Sequence, residues 1–293
     1  MACVPVLVNP RSGNGFKDAE SLPGLFRKAG AEAEVRPTGS NEEMHALAQK
    51  LVADRTPLIV VGGGDGTVNA VASVVAGTET ALGVLPLGTL NHFARDAGIP
   101  LALDAAVETA VKGKPRQVDV ADVNGRMFVN NSSIGLYPAA VRLREKQRRR
   151  LSSGKWPAML WALHTVLRSH PFLDLTLERD GVVQRRRTPF VFIGNNSYSM
   201  EGFTIGLRER LDCGVLSVYL TRRPRRFSLL LLALRALFGR LHQAEDFEAA
   251  TTCELRIDSR HKRVLVATDG EVAAADMPLV YRIHPRALRV ITP

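Results

Sequence analysis

Short apolar runs alternate with segments of helical periodicity over the first 120 residues. The apolar runs have the length and β-branched content of buried strands, and they cover residues 4–8, 33–37, 58–61 and 81–85. Helical patterns cover residues 18–29 and 41–53, and a third helix is expected to begin after Thr67. Pro23 and Gly24 are expected to interrupt the first of these helices. This alternation predicts a doubly wound parallel α/β sheet.

From residue 117 the pattern changes to short strands separated by turns. Asn124-Gly125 predicts a hairpin between 118–123 and 127–130, and Asp180-Gly181 predicts one between 173–178 and 188–193. Further strands are expected at 215–220, 252–257, 264–268 and 279–283. An antiparallel sandwich or barrel accounts for them. We therefore expect an α/β domain over residues 1–120 and a β-sandwich domain over 121–293, with the closing run 287–293 able to return to the first.

Two segments with helical patterns interrupt this strand series. Residues 141–169 begin with a cluster of six arginines and lysines and continue with Trp156 and Trp161, and residues 222–226 place four arginines before an apolar run. Such segments suit interfacial helices on anionic lipid. Core packing with a solvated charged face explains them equally well.

Composition describes a protein of 293 residues that is 45% apolar and carries a net charge of +10. The charge favours an anionic partner, either nucleic acid, nucleotide or an acidic membrane face, without choosing among them. Cys3, Cys213 and Cys253 lack CxxC spacing, and the start of the chain lacks a signal-peptide pattern, so we expect a cytoplasmic protein.

The central loop carries the most informative chemistry. Gly62-Gly63-Gly64-Asp65-Gly66-Thr67 follows a strand and precedes a helix, where amide N–H groups and the helix dipole can hold a phosphate. The glycines alone favour a tight turn without a ligand. Asp65 would repel a phosphate unless it held a metal ion or a proton. The loop therefore predicts a site for a magnesium nucleotide.

Three other polar loops follow strands and should reach the same edge of the sheet. In the first loop, Asn9 and Ser12 could contact a phosphate, and a plain turn is equally compatible. In the second, Thr38 or Ser40 could simply cap a helix. The third loop covers residues 86–95.

Four motifs in this order resemble the diacylglycerol kinase catalytic-domain family, which includes sphingosine and ceramide kinases and bacterial soluble lipid kinases. They are Asn9-Pro10-Arg11-Ser12-Gly13, Gly63-Gly64-Asp65-Gly66-Thr67 with Asn69, Pro86-Leu87-Gly88-Thr89-Leu90-Asn91, and Thr268-Asp269-Gly270-Glu271. The resemblance covers nearly the whole chain.

The resemblance implies a kinase that uses ATP and Mg²⁺ to phosphorylate a lipid hydroxyl, with the nucleotide on the first domain and the lipid on the second. The implied nucleotide contacts are Asn9, Ser12, Thr38, Gly63, Gly64, Asp65, Gly66, Thr67, Val68, Asn69, Thr89 and Asn91. The implied catalytic carboxylates are Asp65, near the catalytic Mg²⁺, and Asp269 and Glu271, one of which accepts the proton. Asp212, with backbone carbonyls near Glu209 and Gly214, matches a structural Mg²⁺ site, and Asp119 matches a further acidic position at the domain junction. His92 stands where many relatives have an acidic residue.

These residue types suit phosphoryl transfer, which needs a phosphate cradle, a divalent metal and a proton acceptor. The Asp-Gly-Glu motif alone would be taken for an ordinary hairpin turn.

Several alternatives remain open. A NAD kinase shares the Gly-Gly-Asp-Gly-Thr element, as do phosphofructokinases more loosely, and the remaining motifs oppose that reading. A basic nucleic-acid-binding protein would interleave aromatic residues with its arginines. The arginine runs here contain few aromatics, and Asp65 and Asp269 would repel a phosphodiester, so no nucleic-acid partner is expected. A non-catalytic lipid or nucleotide carrier would not require both Asp65 and Glu271. We expect a lipid substrate and peripheral contact with an anionic membrane. The identity of the lipid is open, and a homodimer is compatible.

Overall fold

The computed structural model of the protein describes residues 3–10, 16–135, 172–198, 208–221 and 247–293. Three features of the sequence lie outside these residues. They are Ser12 and the two arginine-flanked segments, 141–169 and 222–241.

The N-terminal half alternates strands and helices as predicted. Its elements are β1 (Cys3–Val8), α1 (Phe16–Ala29), β2 (Glu32–Pro37), α2 (Asn41–Ala53), β3 (Leu58–Gly63), α3 (Asp65–Val75), β4 (Ala81–Pro86), α4 (His92–Asp96) and α5 (Leu103–Lys112). The four strands pair in the order β2-β1-β3-β4, and every pair is parallel. The predicted parallel α/β architecture is confirmed.

Helix α1 corrects one detail of the prediction. It runs without a break through Pro23, where an interruption was expected. Leu22 and Phe26, four residues apart, are both fully buried on one face of this helix. Their burial against the sheet stabilises the helix through packing, which outweighs the one backbone hydrogen bond that proline cannot donate.

The C-terminal half is built from antiparallel strands, as predicted. They are β5 (Lys114–Val123), β6 (Arg126–Phe128), β7 (Asn131–Gly135), β8 (Leu173–Arg179), β9 (Val182–Thr188), β10 (Phe190–Asn195), β11 (Leu216–Thr221), β12 (Phe247–Thr252), β13 (Glu254–Ser259), β14 (Arg263–Thr268), β15 (Glu271–Asp276) and β16 (Leu279–Thr292). One sheet has the order β12-β11-β10-β7-β14-β15. Its inner face packs against β8, β13 and β16 around Ile134, Ile193 and Tyr281.

Both predicted hairpin turns are present, with positive φ at Asn124, Gly125, Asp180 and Gly181. The second hairpin pairs β8 with β9, which begins directly after the turn, whereas the sequence pattern had placed the partner strand at 188–193. A two-residue turn leaves no room for the longer excursion. The predicted strand 252–257 is confirmed from Glu254 onwards, as part of β13. Its start is wrong, because Thr252 ends β12, which belongs to the other sheet, and Cys253 lies between the two strands.

Strand β16 joins the two halves. It pairs with β13 and β5 and then, at Arg289 and Val290, in parallel with β4, so that one ten-stranded sheet runs through both. The register shifts between His284 and Leu288. Buried Asp119 spans this bulge, because its carboxylate accepts hydrogen bonds from the Arg286 N–H at 2.8 Å and the Gly214 N–H at 2.6 Å. The two halves are therefore tied by backbone pairing as well as by side chains.

A buried ion pair also joins the halves. The Arg208 guanidinium donates to the Asp96 carboxylate of α4 at 2.7 Å, and both side chains are almost completely excluded from solvent. Arg208 also donates to the carbonyl oxygens of Val129 and Asn195 and to the side-chain oxygen of Asn130. Burial raises the pKa of Asp96, and the arginine acts against that rise.

Arg208→Met should lower the free energy of unfolding by about 3–5 kcal/mol, because it leaves the Asp96 carboxylate buried without a counter-charge. Denaturant unfolding measures this change. The matched control is Arg282→Met, which removes an exposed pair with Glu254 and should cost below about 1 kcal/mol. Equal losses in the two variants would contradict the central role of Arg208.

Candidate active site

Helix α3 begins at Asp65, earlier than the sequence pattern predicted, so the second half of the glycine motif forms its first turn. Gly64 is the N-cap and supplies no side-chain hydrogen bond. The first helical bond runs from the Val68 N–H to the Gly64 carbonyl at 3.0 Å. The N–H groups of Asp65, Gly66 and Thr67 precede it and have no partner within the helix. This is the geometry of an anion-binding helix terminus.

Two glycines of the site are required by close packing. A Cβ at Gly63 would lie 2.5 Å from the side chain of Thr67, and a Cβ at Gly88 would lie 2.5 Å from the Cα of Gly64. Only glycine fits these two contacts. The contact of Gly88 with Gly64 brings the loop after β4 against the loop after β3, and the contact of Gly63 with Thr67 lies within the loop after β3.

The Asp65 carboxylate is satisfied by hydrogen-bond donors. It accepts from the backbone N–H groups of His92 at 3.2 Å and Phe93 at 3.0 Å, and from the Asn130 amide at 3.3 Å. The sequence argument had allowed only a metal ion or a proton to offset this charge. The structure shows a third means, in which Asp65 caps the short helix α4.

Two of the predicted nucleotide contacts lie at the ends of β1 and β2. The Asn9 amide donates to the Thr67 hydroxyl at 3.2 Å, which places it at the start of α3. Thr38 is buried, and its hydroxyl donates to the Val8 carbonyl at 3.2 Å. The cap of α2 is Ser40, the other residue considered from the sequence, because its hydroxyl accepts from the Glu43 N–H.

Asn91, Thr89, Val68 and Asn69, which were also predicted to contact the nucleotide, have different surroundings. The Asn91 side chain is buried within its own loop, where it bonds the Pro86 and Gly88 carbonyls and the Gly88 N–H. Thr89 is exposed beside it, and Val68 lies in the core. Asn69 donates to the Met127 carbonyl at 3.2 Å and so links α3 to β6.

The Asp-Gly-Glu turn joins β14 to β15, with positive φ at Asp269 and Gly270. The Asp269 carboxylate accepts hydrogen bonds from three successive backbone N–H groups, those of Val129, Asn130 and Asn131, at 2.8–3.0 Å. Burial raises the pKa of Asp269 to about 6, against the opposing effect of these three donors. Its place in the structure is that of an anchor for the chain between β6 and β7.

Glu271 is the predicted carboxylate that faces solvent. One carboxylate oxygen accepts from the Asn41 amide at 2.6 Å, and the other from the Arg126 guanidinium at 3.0 Å. A Cβ built on Gly66 would lie 3.5 Å from the first of these oxygens. Glu271 of the second half therefore lies directly beside the glycine loop between β3 and α3 of the first half.

Asn130 connects the two motifs. Its side-chain N–H group donates to Asp65, its backbone N–H donates to Asp269 at 2.9 Å, and its side-chain oxygen accepts from Arg208 at 2.7 Å. The sequence reasoning missed Asn130, Arg208, Asp96, Asn41 and Arg126. The one available signal is the polar pair Asn130-Asn131 at the end of the hairpin strand predicted over 127–130.

The predicted structural Mg²⁺ site at Asp212 has a different set of neighbours. Asp212 pairs with Arg210 at 3.0 Å and Arg116 at 3.7 Å, and the hydrogen bond from Arg210 lowers the pKa of Asp212. Glu209 is exposed, and the Gly214 N–H is bonded to Asp119. A cation at Asp212 would have to displace the guanidinium groups, and this site stays a prediction.

The Asp65 carboxylate fits a Mg²⁺ that arrives with phosphate oxygens better than Asp212 does, because its oxygens are of the ligand type that Mg²⁺ takes and its bonded partners among the described residues are N–H groups of His92, Phe93 and Asn130 and no guanidinium group. Within residues 3–10, 16–135, 172–198, 208–221 and 247–293, no three His, Cys, Asp or Glu side chains form a metal-binding group. In the same part of the chain, no helix has both the length and the apolar content to cross a bilayer.

Comparison with known families agrees with this geometry. Residues 4–123 match the diacylglycerol kinase catalytic domain, and residues 133–292 match the YegS C-terminal NAD kinase beta sandwich-like domain. The boundary between the two matches falls at the Asn130 bridge.

The relatives found by sequence are bacterial. A protein of Citrobacter koseri named "Probable lipid kinase YegS-like" is 35% identical over 144 residues, which are 46% of this chain and 47% of that protein. The Salmonella newport protein named "Probable lipid kinase YegS" is 29% identical over 167 residues, 56% of this chain and 54% of that one. The chain thus spans about half the length of the curated relatives it matches.

Solved structures share the whole fold. A crystal structure of a diacylglycerol kinase from Bacillus anthracis aligns with a TM-score of 0.72 over 99% of this chain and 96% of that one, at 21% identity. A second crystal structure from the same organism gives a TM-score of 0.75 over 99% and 97% of the two chains, at 22% identity. At this identity the likeness shows the fold.

The raised pKa of Asp269 predicts a pH effect on stability. Below its ordinary pKa the carboxyl is protonated in both the folded and unfolded states. As the pH rises through the range from about 4 to 6, only the unfolded state releases the proton. The free energy of unfolding therefore falls by about 3 kcal/mol, compared with a protein whose residue 269 does not titrate.

We expect the unfolding free energy of the wild type, minus that of Asp269→Asn, to fall by about that amount between about pH 3 and pH 7. Denaturant titrations at each pH measure the difference. A difference that stays constant with pH would contradict the raised pKa.

Proposed function

Because the chain belongs to the diacylglycerol kinase catalytic-domain family, we propose that it is a lipid kinase that uses ATP and Mg²⁺ to phosphorylate a lipid hydroxyl. The observation that carries the proposal is the position of Glu271. This carboxylate lies beside Gly66 and is held there by Asn41, at the N-terminus of the neighbouring helix α2.

The triphosphate would lie at the N-terminus of α3. The N–H groups of Asp65, Gly66 and Thr67 precede the first helical bond there, and the helix dipole adds a partial positive charge. Glycine at position 88 lets the two loops meet, glycine at position 63 leaves room for the Thr67 side chain, and Asn9 bonds the Thr67 hydroxyl from the adjacent strand. This arrangement would hold the phosphates between Glu271 and the start of α3. Bound Mg²⁺ would shield their negative charge, and Asp65 is the carboxylate of this loop that would hold it.

Glu271 would accept the proton of the acceptor hydroxyl. The hydroxyl oxygen forms a bond to the γ-phosphorus, the bond from that phosphorus to the β,γ-bridging oxygen breaks, and ADP leaves. Glu271 suits this task because it is a half-exposed carboxylate next to the glycine loop. Asp269 holds the backbone of residues 129–131, so we assign it a positioning role.

A lipid acceptor is supported by the names of the bacterial relatives and by the two arginine-flanked apolar segments of the sequence. We propose a diacylglycerol-like or sphingoid acceptor, met at the surface of an anionic membrane by a cytoplasmic protein. Flotation with vesicles separates this membrane contact from catalysis. Equal binding to neutral and anionic vesicles would remove the electrostatic part of the proposal.

The activity is tested with labelled ATP, Mg²⁺ and a panel of lipids in mixed micelles. We expect Mg²⁺-dependent transfer to a lipid, and Glu271→Gln should lower kcat about 10²- to 10⁴-fold because it removes the proton acceptor. Asp276→Asn is the matched control, since Asp276 is an exposed carboxylate at the other end of strand β15.

Transfer to NAD in place of a lipid would support the NAD kinase alternative and overturn the proposed function. Unchanged transfer by Glu271→Gln would remove the assigned proton acceptor while leaving the lipid kinase activity in place.

A further inference from the structure

We propose that Arg126 binds the phosphoryl group that ATP transfers, and so adds a cationic residue to the site. The inference rests on the proposed function. Arg126 begins strand β6, immediately after the Asn124-Gly125 turn, and is absent from the motifs that carry the family resemblance.

The position of Arg126 is fixed by its hairpin. The Asn124 side chain bonds the carbonyls of Asp276 and Pro278 and the N–H of Val280, and the Gly125 N–H donates to Asp122 at 2.7 Å. The backbone that carries Arg126 is thus tied to neighbouring strands. The side chain itself is 40% exposed and reaches the Glu271 carboxylate.

The carboxylates of the cleft favour a cationic side chain beside the phosphates in addition to Mg²⁺. Asp65, Asp269 and Glu271 are three carboxylates around a site proposed for a triphosphate, and the N-terminus of α3 offsets only about half an elementary charge. Among the residues that the structure describes, Arg126 is the one guanidinium or ammonium group bonded to any of these carboxylates. Phosphoryl transfer proceeds by positioning and neutralisation of charge, which is the contribution an arginine makes.

The donor geometry allows Arg126 to serve two partners. A guanidinium group has five N–H donors, and within the described residues this one makes a single hydrogen bond, from Nη2 to Glu271. The remaining donors can reach an oxygen of the γ-phosphate while the bond to Glu271 persists. Arg126 would then hold the proton acceptor and the phosphoryl group on either side of the acceptor hydroxyl.

The β14–β15 hairpin, which carries Glu271, contains a second arginine–carboxylate pair away from the site. Arg263 pairs with Asp276 at 2.8 Å at one end of the β14–β15 ladder, and Glu271 lies at the other end. An ordinary exposed pair contributes little to stability. Arg263→Gln therefore reports the effect of removing an exposed arginine that pairs with a carboxylate of β15, as Arg126 does, at the end of the strand away from Glu271.

The experiment compares wild type, Arg126→Gln and Arg263→Gln. Calorimetry measures binding of ADP and of a non-hydrolysable ATP analogue, each with Mg²⁺, and steady-state assays measure kcat with the best lipid of the panel. Arg126→Gln should raise the dissociation constant of the ATP analogue about tenfold and change that of ADP by less than about twofold, because only the ATP analogue has a γ-phosphate. The kcat should fall about 10²- to 10³-fold, as for loss of one charge-stabilising donor. Arg263→Gln should match the wild type in all three.

The two ways to fail are distinct. A wild type that binds no Mg²⁺-nucleotide and phosphorylates no lipid overturns the proposed function and this inference together. A wild type that phosphorylates lipid while Arg126→Gln behaves as Arg263→Gln overturns the inference alone. If Arg126→Gln weakens the binding of ADP and of the ATP analogue equally, the inference is also overturned, since Arg126 would then affect nucleotide binding without contacting the γ-phosphate.

Discussion

The structure depends on one polar bridge, at Asn130. Its side chain donates to Asp65 of the glycine loop, its backbone donates to Asp269 of the Asp-Gly-Glu turn, and its side-chain oxygen accepts from buried Arg208. Buried polar groups are costly unless every partner is present, so this network has one well-satisfied arrangement. It fixes the relative position of two motifs separated by some two hundred residues of sequence.

The predicted functional carboxylates divide by environment. Asp65 and Asp269 are occupied by N–H donors, and Asp119 ties the β16 bulge to the loop at Gly214. These side chains stabilise the walls of the cleft. Glu271 is half-exposed, and its partners are the side chains of Asn41 and Arg126. A carboxylate open to solvent suits a reaction step, and one bonded to successive backbone N–H groups suits an anchor.

Local signals predicted much of this structure. Apolar runs located β1, β3 and β4, and Asn-Gly and Asp-Gly located both hairpin turns, because each depends on neighbours in sequence. The strand that pairs with β8 and the division between β12 and β13 at Cys253 were not predicted, because the sheet to which a strand belongs depends on contacts with residues far away in sequence. The site followed the same rule. The glycine loop and Glu271 were found from motifs, while Asn130, Arg208 and Arg126 act through contacts more than sixty residues away in sequence. The pattern of apolar and polar residues along the chain does not indicate contacts of this kind.

The central claim is that one cleft holds the triphosphate between the start of α3 and Glu271. A crystal structure with Mg²⁺ and a non-hydrolysable ATP analogue tests it directly. The account predicts phosphate oxygens on the N–H groups of Gly66 and Thr67, with the Glu271 carboxylate on the side of the terminal phosphate. A nucleotide bound elsewhere, or a Glu271 turned away from that phosphate, would contradict the account.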